Sequence, residues 1–179
     1  MSTAGGGRVV VVMGVAGTGK TTVGRLLAKA LGLPFTEGDD HHPPANVAKM
    51  TAGIPLDDDD RRPWLDAVAA RLGGRPPGTG AVVSCSALRR AYRDRLRAAV
   101  PEAVFVHLAG DRQLIEGRIA ARTGHFMPPA LLDSQFAVLE PLGPDEPGAV
   151  VDVSGTPEET AAGALAALAA VWTDRPRSS

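Results

Sequence analysis

A glycine-rich stretch near the start of the chain carries the residue types that hold phosphate groups. Residues 14–21, GVAGTGKT, match the pattern G-x-x-x-x-G-K-[ST] in full. Glycines let backbone N–H groups approach phosphate oxygens, the lysine reaches the β- and γ-phosphates, and the threonine hydroxyl ligates Mg²⁺. The stretch therefore predicts a binding site for a nucleoside triphosphate. The residues expected to hold the nucleotide are Gly14, Val15, Ala16, Gly17, Thr18, Gly19, Lys20, Thr21 and Thr22.

The segments on either side of this loop are those that the pattern requires. Residues 9–13, VVVVM, are continuously apolar, which is typical of a buried strand. After the loop, apolar residues recur at the spacing of one helix face and are followed by Gly32, a residue type that ends helices. The positions on that face are Val23, Leu26, Leu27, Ala30 and Leu31. A strand, the loop and a helix in this order strengthen the prediction of a triphosphate site.

Two residue patterns found in other nucleotide-binding proteins are absent from this sequence. Guanine is usually recognised by an Asn-Lys-x-Asp motif, but the single asparagine of this chain, Asn46, stands in NVAKM. The apolar run at 81–84 leads into Ser84, Cys85 and Ser86, without the acidic residue that holds Mg²⁺ in many motor ATPases. A GTPase is therefore disfavoured, and support for the metal must come from elsewhere in the chain.

A carboxylate follows the second predicted strand, close to where the phosphate loop is expected. That strand is short and lies around Phe35, and Asp39 comes after it. Open α/β sheets bind ligands at the carboxyl ends of their strands, so Asp39 is a candidate to orient an acceptor hydroxyl and take its proton. A helix cap or a turn is the alternative role. Glu37 points the same way if the segment stays extended, and is a candidate to hold a water of the Mg²⁺ shell.

The four polar residues at 39–42, DDHH, lack the spacing of a structural zinc site. His42 is instead a candidate to hydrogen-bond a polyol. A proline pair then starts a helix on which Asn46 and Lys49 lie on nearly one face. A solvated surface lysine is the alternative for Lys49.

Short apolar runs separated by longer segments predict the fold. They lie at 9–13, 81–84, 104–108 and 149–153, with one more short strand around Phe35. This alternation predicts an α/β fold in which a five-stranded parallel sheet is flanked by helices.

Further signals mark helix starts and a loop. Residues 57–60, DDDD, are expected to cap a helix and to form its solvated face. Thr156, Pro157 and Glu159 have the spacing of a helix start with reciprocal capping. Residues 140–148, EPLGPDEPG, are rich in helix breakers and predict a surface loop.

Length, charge and cysteine content bound the class of protein. The chain has 179 residues and is expected to form one domain over residues 1–179. Its net charge of −1 argues against nucleic acid or an anionic membrane as a partner, so a small molecule is expected. A single cysteine, Cys85, cannot form an internal disulfide, and no apolar run approaches the roughly 18 residues that a membrane span needs. A cytoplasmic location is expected.

Three polar stretches accompany the phosphate loop: GDDHHPPANVAKMTAGIPLDDDDRRPWL, SCSALRRAYRDRLR and RTGHFMPPALLDSQFAVLEPL. Together they resemble the small P-loop gluconokinases, relatives of shikimate kinases and nucleoside monophosphate kinases. The resemblance extends over residues 8–173, and its specific part is the block HPPANVAKM…GIPL…DR. Asp57 and Arg62 depart from the family, which tends to have a threonine and an aromatic residue at these positions.

The resemblance implies a fold and a reaction. The fold is that of a nucleoside-monophosphate-kinase-like P-loop NTPase with a mobile lid at about residues 122–136. The reaction is the ATP- and Mg²⁺-dependent phosphorylation of D-gluconate to 6-phospho-D-gluconate. It also implies a homodimer, for which the sequence itself offers no self-complementary patch. The alternatives are a kinase of another small hydroxy acid such as shikimate, and a non-catalytic ATP-binding regulatory module.

Basic residues are candidates for binding the acid group of the substrate. A carboxylate left unpaired in a closed pocket is costly, and an arginine can bind it with two hydrogen bonds. Arg61, which matches the family, and Arg89 are the two candidates for this clamp, with structural ion pairs as the alternative. The resemblance also moves Lys49 toward the acceptor pocket.

The lid is predicted from a second group of residues. Arg118 and Arg122 lie four residues apart on one predicted helix face, and the resemblance makes them residues that close over the γ-phosphate. Solvent-facing helix charges are the alternative. Gln135 follows in the return helix of the lid as a candidate substrate contact, and residues 152–156 are expected to lie against adenine. The catalytic residues of this hypothesis are Lys20, Asp39 and Arg122.

Overall fold

Strands and helices alternate along the chain. The computed structural model describes residues 7–122 and 128–174. The strands are β1 (Val9–Met13), β2 (Phe35–Glu37), β3 (Ala81–Ser84), β4 (Ala103–Ala109) and β5 (Gly148–Asp152). The helices are α1 (Lys20–Leu31), α2 (Pro44–Thr51), α3 (Asp58–Gly73), α4 (Arg90–Ala99), α5 (Arg112–Ala121), α6 (Pro129–Val138) and α7 (Pro157–Asp174). A 3₁₀ turn, Gly38–His41, follows β2 directly.

The five strands form one parallel sheet in the order β2-β3-β1-β4-β5. Strand β1 lies at its centre, and none of its five residues has exposed surface. A strand buried on both faces must be apolar at every position, which explains the run VVVVM. The predicted α/β fold with a five-stranded parallel sheet flanked by helices is therefore confirmed.

Helices cover both faces of the sheet, and the alternating side chains of β1 show how. Val9, Val11 and Met13 pack with residues of α3 and α4. Val10 and Val12 pack with residues of α1 and α7. The chain continues from β1 to strands on one side and later to strands on the other. The loop after β1 therefore lies in the crevice where the strand order reverses.

The predicted helix ends are present. Gly32 ends α1 with a φ of +68°, a conformation that glycine adopts without strain. At the start of α7, the Glu159 N–H donates to Thr156 Oγ1 at 3.1 Å and the Thr156 N–H donates to Glu159 Oε1 at 3.2 Å. At the start of α3, Asp57 and Asp60 form the same reciprocal pair.

Two expectations about surface segments need correction. Asp58 and Asp60 do not form a merely solvated face, because Asp58 accepts a hydrogen bond from Tyr92 and Asp60 pairs with Lys49. The loop before β5 carries Glu146, which is buried and not on the surface. Its carboxylate forms an ion pair with Arg93, which is also buried. Both corrections arise from α2 and α4, whose side chains meet these carboxylates only in the folded chain.

The predicted lid, at about residues 122–136, begins directly after α5 and includes most of α6. Its residues 123–127 lie outside the described residues. Across the two described ranges, no helix is both long enough and apolar enough to span a lipid bilayer.

Acidification should destabilise the fold through His107 of β4. Burial, with the positive charges of Arg93 and Lys20, holds the pKa of His107 below its ordinary value of 6.5. On acidification, the imidazole of His107 therefore takes up its proton at a higher pH in the unfolded chain than in the folded chain. The free energy of unfolding is not reduced by this group above pH 6.5, and it decreases as the pH falls below that value. In His107→Gln, the free energy of unfolding should therefore fall less between about pH 7.5 and about pH 5.5, as measured by urea denaturation.

The matched control for this experiment is Thr160→Val, which removes a buried hydroxyl from α7 without changing a titratable group. Its loss of stability should be the same at both pH values. A pH dependence in His107→Gln equal to that of the parent would contradict the assignment.

Candidate active site

The phosphate loop joins the end of β1 to the start of α1. Gly14 has a φ of +145°, and a Cβ there would lie 2.7 Å from the carbonyl oxygen of Leu108, so the position requires glycine. The Gly14 N–H donates to the carbonyl oxygen of Ser86 at 3.2 Å. The loop is thus packed between β4 and the segment after β3, with the N-terminus of α1 behind it. This is the geometry in which backbone N–H groups and a helix N-terminus bind phosphate.

Side chains fix the loop from within and from α6. Lys20 Nζ donates to the Val15 carbonyl oxygen at 2.9 Å, and Thr18 Oγ1 donates to the same oxygen at 2.8 Å. The Ala16 N–H donates to Gln135 Oε1 at 2.7 Å, which connects the loop to α6. Burial lowers the pKa of Lys20, while the carboxylates of Asp39 and Glu37 raise it. The negative charges of Glu37, at the end of β2, and of Asp39, in the following turn, therefore face Lys20 of the loop.

Glu37 joins three elements beside the loop. Thr21 Oγ1 donates to Glu37 Oε2, and Ser84 Oγ at the end of β3 donates to Glu37 Oε1 at 2.5 Å. Hydroxyl and carboxylate oxygens are the hard donors that Mg²⁺ prefers, so Thr21 and Glu37 fit this ion. In the part of the chain that the structure describes, no cluster of three or more His, Cys, Asp and Glu side chains is arranged to hold a metal by itself.

The position of Asp39 differs from the extended geometry expected. The chain leaves β2 and turns at Gly38, where a Cβ would lie 2.0 Å from the Ser84 carbonyl oxygen. Asp39 therefore does not point the same way as Glu37 by strand alternation. Its carboxylate is exposed and lies 3.8 Å from His42 Nε2.

A small cavity of about 230 Å³ lies between the loop, the turn after β2, α3 and α6. The polar and aromatic side chains that line it include Lys20, Asp39, His42, Arg61, Trp64 and Gln135. The fold thus brings together five side chains that the sequence singled out, from positions 20 to 135. A larger cavity of about 670 Å³ lies at the amino ends of β2 and β3, lined by residues such as Leu33, Arg71 and Ala81. It is far from the phosphate loop, so the smaller cavity is the candidate acceptor pocket.

Trp64 is a pocket residue that the sequence did not single out. Its ring stacks on His42 with the centroids 4.3 Å apart and the planes inclined by 15°. Its Nε1 donates to the Gly38 carbonyl oxygen at 2.8 Å, which ties α3 to the turn that carries Asp39. Asn46 Nδ2 lies 3.2 Å from His42 Nδ1, and burial lowers the pKa of His42. The signal in the sequence was a tryptophan three residues after Arg61 on one helix.

Of the two arginines proposed as a carboxylate clamp, Arg61 lines the pocket. Its side chain is buried, with 8% of the residue exposed, and Nη1 donates to Tyr92 Oη at 2.9 Å. Within residues 7–122 and 128–174, no carboxylate forms an ion pair with Arg61. Arg89 lies outside the pocket lining, and its Nη1 is 3.7 Å from Asp58 Oδ2.

Lys49 lies outside the pocket lining, contrary to the expectation from the resemblance. Its Nζ donates to both carboxylate oxygens of Asp60, at 2.7 and 3.0 Å. Asn46 Nδ2 donates to the Asp60 carbonyl oxygen at 2.8 Å. The two residues do share a face of α2, as predicted, but this face packs on the first turn of α3.

The two arginines predicted for the lid occupy different positions. Arg118 Nη2 donates to the carbonyl oxygens of Val153 and Gly155, at 3.2 Å for Gly155. Arg118 therefore holds the loop after β5 and does not project over the phosphate loop. Arg122 follows the last turn of α5 and is exposed, and its charge lowers the pKa of Lys20. Arg122 thus remains near the loop lysine.

The fold and this site define a P-loop kinase that transfers a phosphoryl group to a small molecule. A family model described as shikimate kinase matches residues 16–135. A gluconokinase from Gluconobacter oxydans is 52% identical over 149 residues, which are 83% of either chain. The thermosensitive gluconokinase of Escherichia coli is 46% identical over 142 residues, covering 78% of this chain and 75% of the relative. The crystal structure of a gluconokinase from Sinorhizobium meliloti superposes with a TM-score of 0.86 at 45% identity, covering 94% of this chain and 98% of that one. The chain belongs to the gluconokinase family.

Cys85, directly behind the site, should be unreactive in the folded protein. Burial is the main cause that raises the pKa of its thiol to about 12, and the carboxylate of Asp39 adds to it. Because the thiolate is the reactive form, an aromatic disulfide reagent at about pH 8 should leave native Cys85 unmodified. Absorbance of the released thiolate measures the reaction, and denatured protein should give one equivalent per chain as the control. Complete modification of the native protein at the rate of the denatured protein would contradict this assignment.

Proposed function

We infer that this protein is an ATP-dependent gluconokinase, which transfers the γ-phosphoryl group of ATP to D-gluconate and forms 6-phospho-D-gluconate and ADP. Membership of the gluconokinase family supports the activity. The observation that carries the substrate class is Arg61. It is a buried cation in the acceptor pocket, and no carboxylate among the described residues pairs with it. A substrate that carries its own carboxylate completes this pair.

The proposed chemistry uses Asp39 and Lys20 on opposite sides of the acceptor. The Asp39 carboxylate accepts the proton of the terminal hydroxyl of gluconate, and the hydroxyl oxygen forms a bond to the γ-phosphorus of ATP. The bond from that phosphorus to the β,γ-bridging oxygen breaks, and ADP leaves. Lys20 and Arg122 balance the negative charge of the transferring group, which is the main requirement of phosphoryl transfer. The effect of Asp39 on the pKa of Lys20 supports their proximity.

Thr21 and Glu37 are proposed to hold Mg²⁺, the first through its hydroxyl and the second through a metal-bound water. When bound, Mg²⁺ neutralises part of the charge on the β- and γ-phosphates. The hydrogen bond from Thr21 to Glu37 supports this assignment, since it keeps both oxygens on one side of α1. Ser84 orients Glu37 through its other carboxylate oxygen.

His42 and Gln135 are proposed to contact the hydroxyl groups of the open-chain sugar acid. Stacking on Trp64 holds the imidazole of His42, and the hydrogen bond from Ala16 holds Gln135. Arg118 is proposed to act on the nucleotide through the loop after β5, which it holds by two backbone carbonyls.

A shikimate kinase is the second candidate, because the shikimate kinase family model matches residues 16–135. Shikimate is also a hydroxy acid and would use the same buried cation. The third candidate, a regulatory module without chemistry, would bind ATP but would not release ADP when an acceptor is added. One substrate panel separates all three.

Several further properties are proposed with this function. The chain acts as a single kinase domain with a lid, its partner is the small-molecule substrate, and neither nucleic acid nor a membrane takes part. A cytoplasmic location is proposed from the single cysteine, and a homodimer is proposed from the resemblance to the family.

The function is tested by coupled measurement of ADP release with D-gluconate and with shikimate, and by Asp39→Asn. Gluconate should stimulate ADP release by the parent, and shikimate should not. Asp39→Asn should lower kcat by about 10²-fold or more, because the amide cannot accept the proton. Phosphorus NMR of the product should locate the new ester on the terminal carbon.

Asp40→Asn is the matched control, since Asp40 is exposed on the same turn and the change is chemically identical. It should keep the activity of the parent. Turnover of shikimate without turnover of gluconate would replace the first candidate by the second. ATP binding without any acceptor-dependent ADP release would favour the regulatory module.

The magnesium assignment is tested by Glu37→Gln, which keeps the shape of the side chain and removes its charge. The concentration of Mg²⁺ that gives half-maximal activity should rise, since a carboxylate is the stronger partner for a hydrated divalent ion. The measurement is a Mg²⁺ titration of ADP release at saturating gluconate. Glu158→Gln, an exposed exchange in the first turn of α7, is the control and should leave the titration unchanged. A parental titration curve for Glu37→Gln would remove Glu37 from the metal site.

A further inference from the structure

Tyr92 of α4 contacts Arg61 behind the acceptor pocket. Only 5% of the residue is exposed. Arg61 Nη1 donates to Tyr92 Oη at 2.9 Å, and Tyr92 Oη donates to Asp58 Oδ1. The directions of these hydrogen bonds follow from the groups, because a guanidinium has no acceptor and an ionised carboxylate has no proton. A single hydroxyl therefore links the buried cation to a carboxylate at the start of α3.

The hydrogen bonds from Arg61 to Tyr92 and from Tyr92 to Asp58 form a relay. The protonation states of Tyr92 and Asp58 fix the direction of these hydrogen bonds. Burial and the hydrogen bond to Asp58 raise the pKa of Tyr92, so the phenol keeps its proton. The hydrogen bond from Tyr92 is the main cause that lowers the pKa of Asp58, so this carboxylate stays ionised. Arg89 adds a positive charge on the far side, with Nη1 at 3.7 Å from Asp58 Oδ2. The other titratable groups that act on this carboxylate are Arg61 and Arg62.

The relay holds Arg61 without using up its capacity to bind an anion. Across the described ranges, the guanidinium makes no hydrogen bond other than the one to Tyr92. A guanidinium has five N–H donors in a rigid plane, so fixing Nη1 orients the remaining donors as one unit. The Tyr92 ring lies beside the same group, with its centroid 5.4 Å from Cζ of Arg61. A carboxylate in direct contact with Arg61 would compete with an acidic ligand, and the intervening hydroxyl avoids this competition.

We propose that Tyr92 is a positioning residue that orients Arg61 toward the carboxylate of the sugar acid, and that it thereby sets the affinity for acidic acceptors. This inference rests on the proposed gluconokinase function. Tyr92 lines no part of the acceptor pocket, so its effect on the substrate passes through Arg61. Removal of the Tyr92 hydroxyl should therefore change the KM for gluconate and leave the KM for ATP unchanged.

The test is Tyr92→Phe, which keeps the ring and removes the hydroxyl. The KM for gluconate should rise about tenfold, as expected when an orienting hydrogen bond to a charged group is lost, while kcat and the KM for ATP stay at the parental values. Thr160→Val, which removes another buried hydroxyl far from the pocket, should leave both KM values unchanged and controls for a general loss of stability. Thermal denaturation verifies that both variants are folded at the assay temperature.

A double-mutant cycle separates positioning from a structural role. In an Arg61→Gln background, Tyr92→Phe should cause no further rise in the KM for gluconate, because the group that it orients is gone. Asp58→Asn, at an exposed carboxylate, should raise the KM for gluconate in the same direction as Tyr92→Phe.

Three results would overturn the proposal. They are a parental KM for gluconate in Tyr92→Phe, an equal rise in the KM for ATP, and an effect of Tyr92→Phe that is undiminished in the Arg61→Gln background. A parent enzyme without gluconate-dependent ADP release would overturn the proposed function itself, and with it this inference. That outcome is distinguishable, because it is seen before any variant is compared.

Discussion

The site depends on placing two cations, the half-buried Lys20 and the buried Arg61, beside one small cavity. Burying a charge is costly unless nearby groups compensate for it. For Lys20 the compensation comes from the Val15 carbonyl oxygen and from the carboxylates of Asp39 and Glu37. For Arg61 it comes through Tyr92, with the carboxylate of Asp58 one hydroxyl away. In both cases the compensation is incomplete at the pocket, and this leaves the cations able to attract anionic groups of substrates.

Helix α3 is the element that arranges the acceptor side. Its reciprocal cap between Asp57 and Asp60 fixes where the helix begins. From that start, Arg61 and Trp64 lie three residues apart and face the pocket together, while Asp60 faces Lys49 of α2. The indole of Trp64 also holds the turn after β2 by its hydrogen bond to Gly38. A single helix start thus sets the position of the buried cation Arg61, of the aromatic ring of Trp64 and of the adjoining turn.

A buried ion pair supports the wall of the pocket after β3. Arg93 Nε donates to Glu146 Oε2 at 2.6 Å, and Arg93 Nη1 donates to the Ala87 carbonyl oxygen at 2.9 Å. Ala87 has a φ of +43°, which is strained for a residue with a Cβ and persists only where the surroundings hold it. The neighbouring carbonyl of Ser86 accepts the hydrogen bond from Gly14 of the phosphate loop. The pair therefore connects the loop before β5 with the backbone at residues 86–88, which borders both the phosphate loop and the candidate acceptor pocket.

Local patterns in the sequence were enough for the strands, for several helix ends and for the phosphate loop. Apolar runs, helix caps and a glycine-rich loop depend on neighbours within a few residues. The five strands, the end of α1, the start of α7 and residues 14–21 therefore followed from the chain alone. The roles of four charged residues did not follow, because each is decided by a partner that is distant in sequence or on another element. Lys49 pairs with Asp60, Arg89 lies near Asp58, and Glu146 pairs with Arg93. Arg118 donates to the carbonyl oxygens of Val153 and Gly155. Which arginine faces the pocket, and that Tyr92 holds it there, was decided only when α3 and α4 packed side by side. The reason is physical: backbone conformation responds to local sequence, whereas the pairing of long charged side chains is settled by which helices meet.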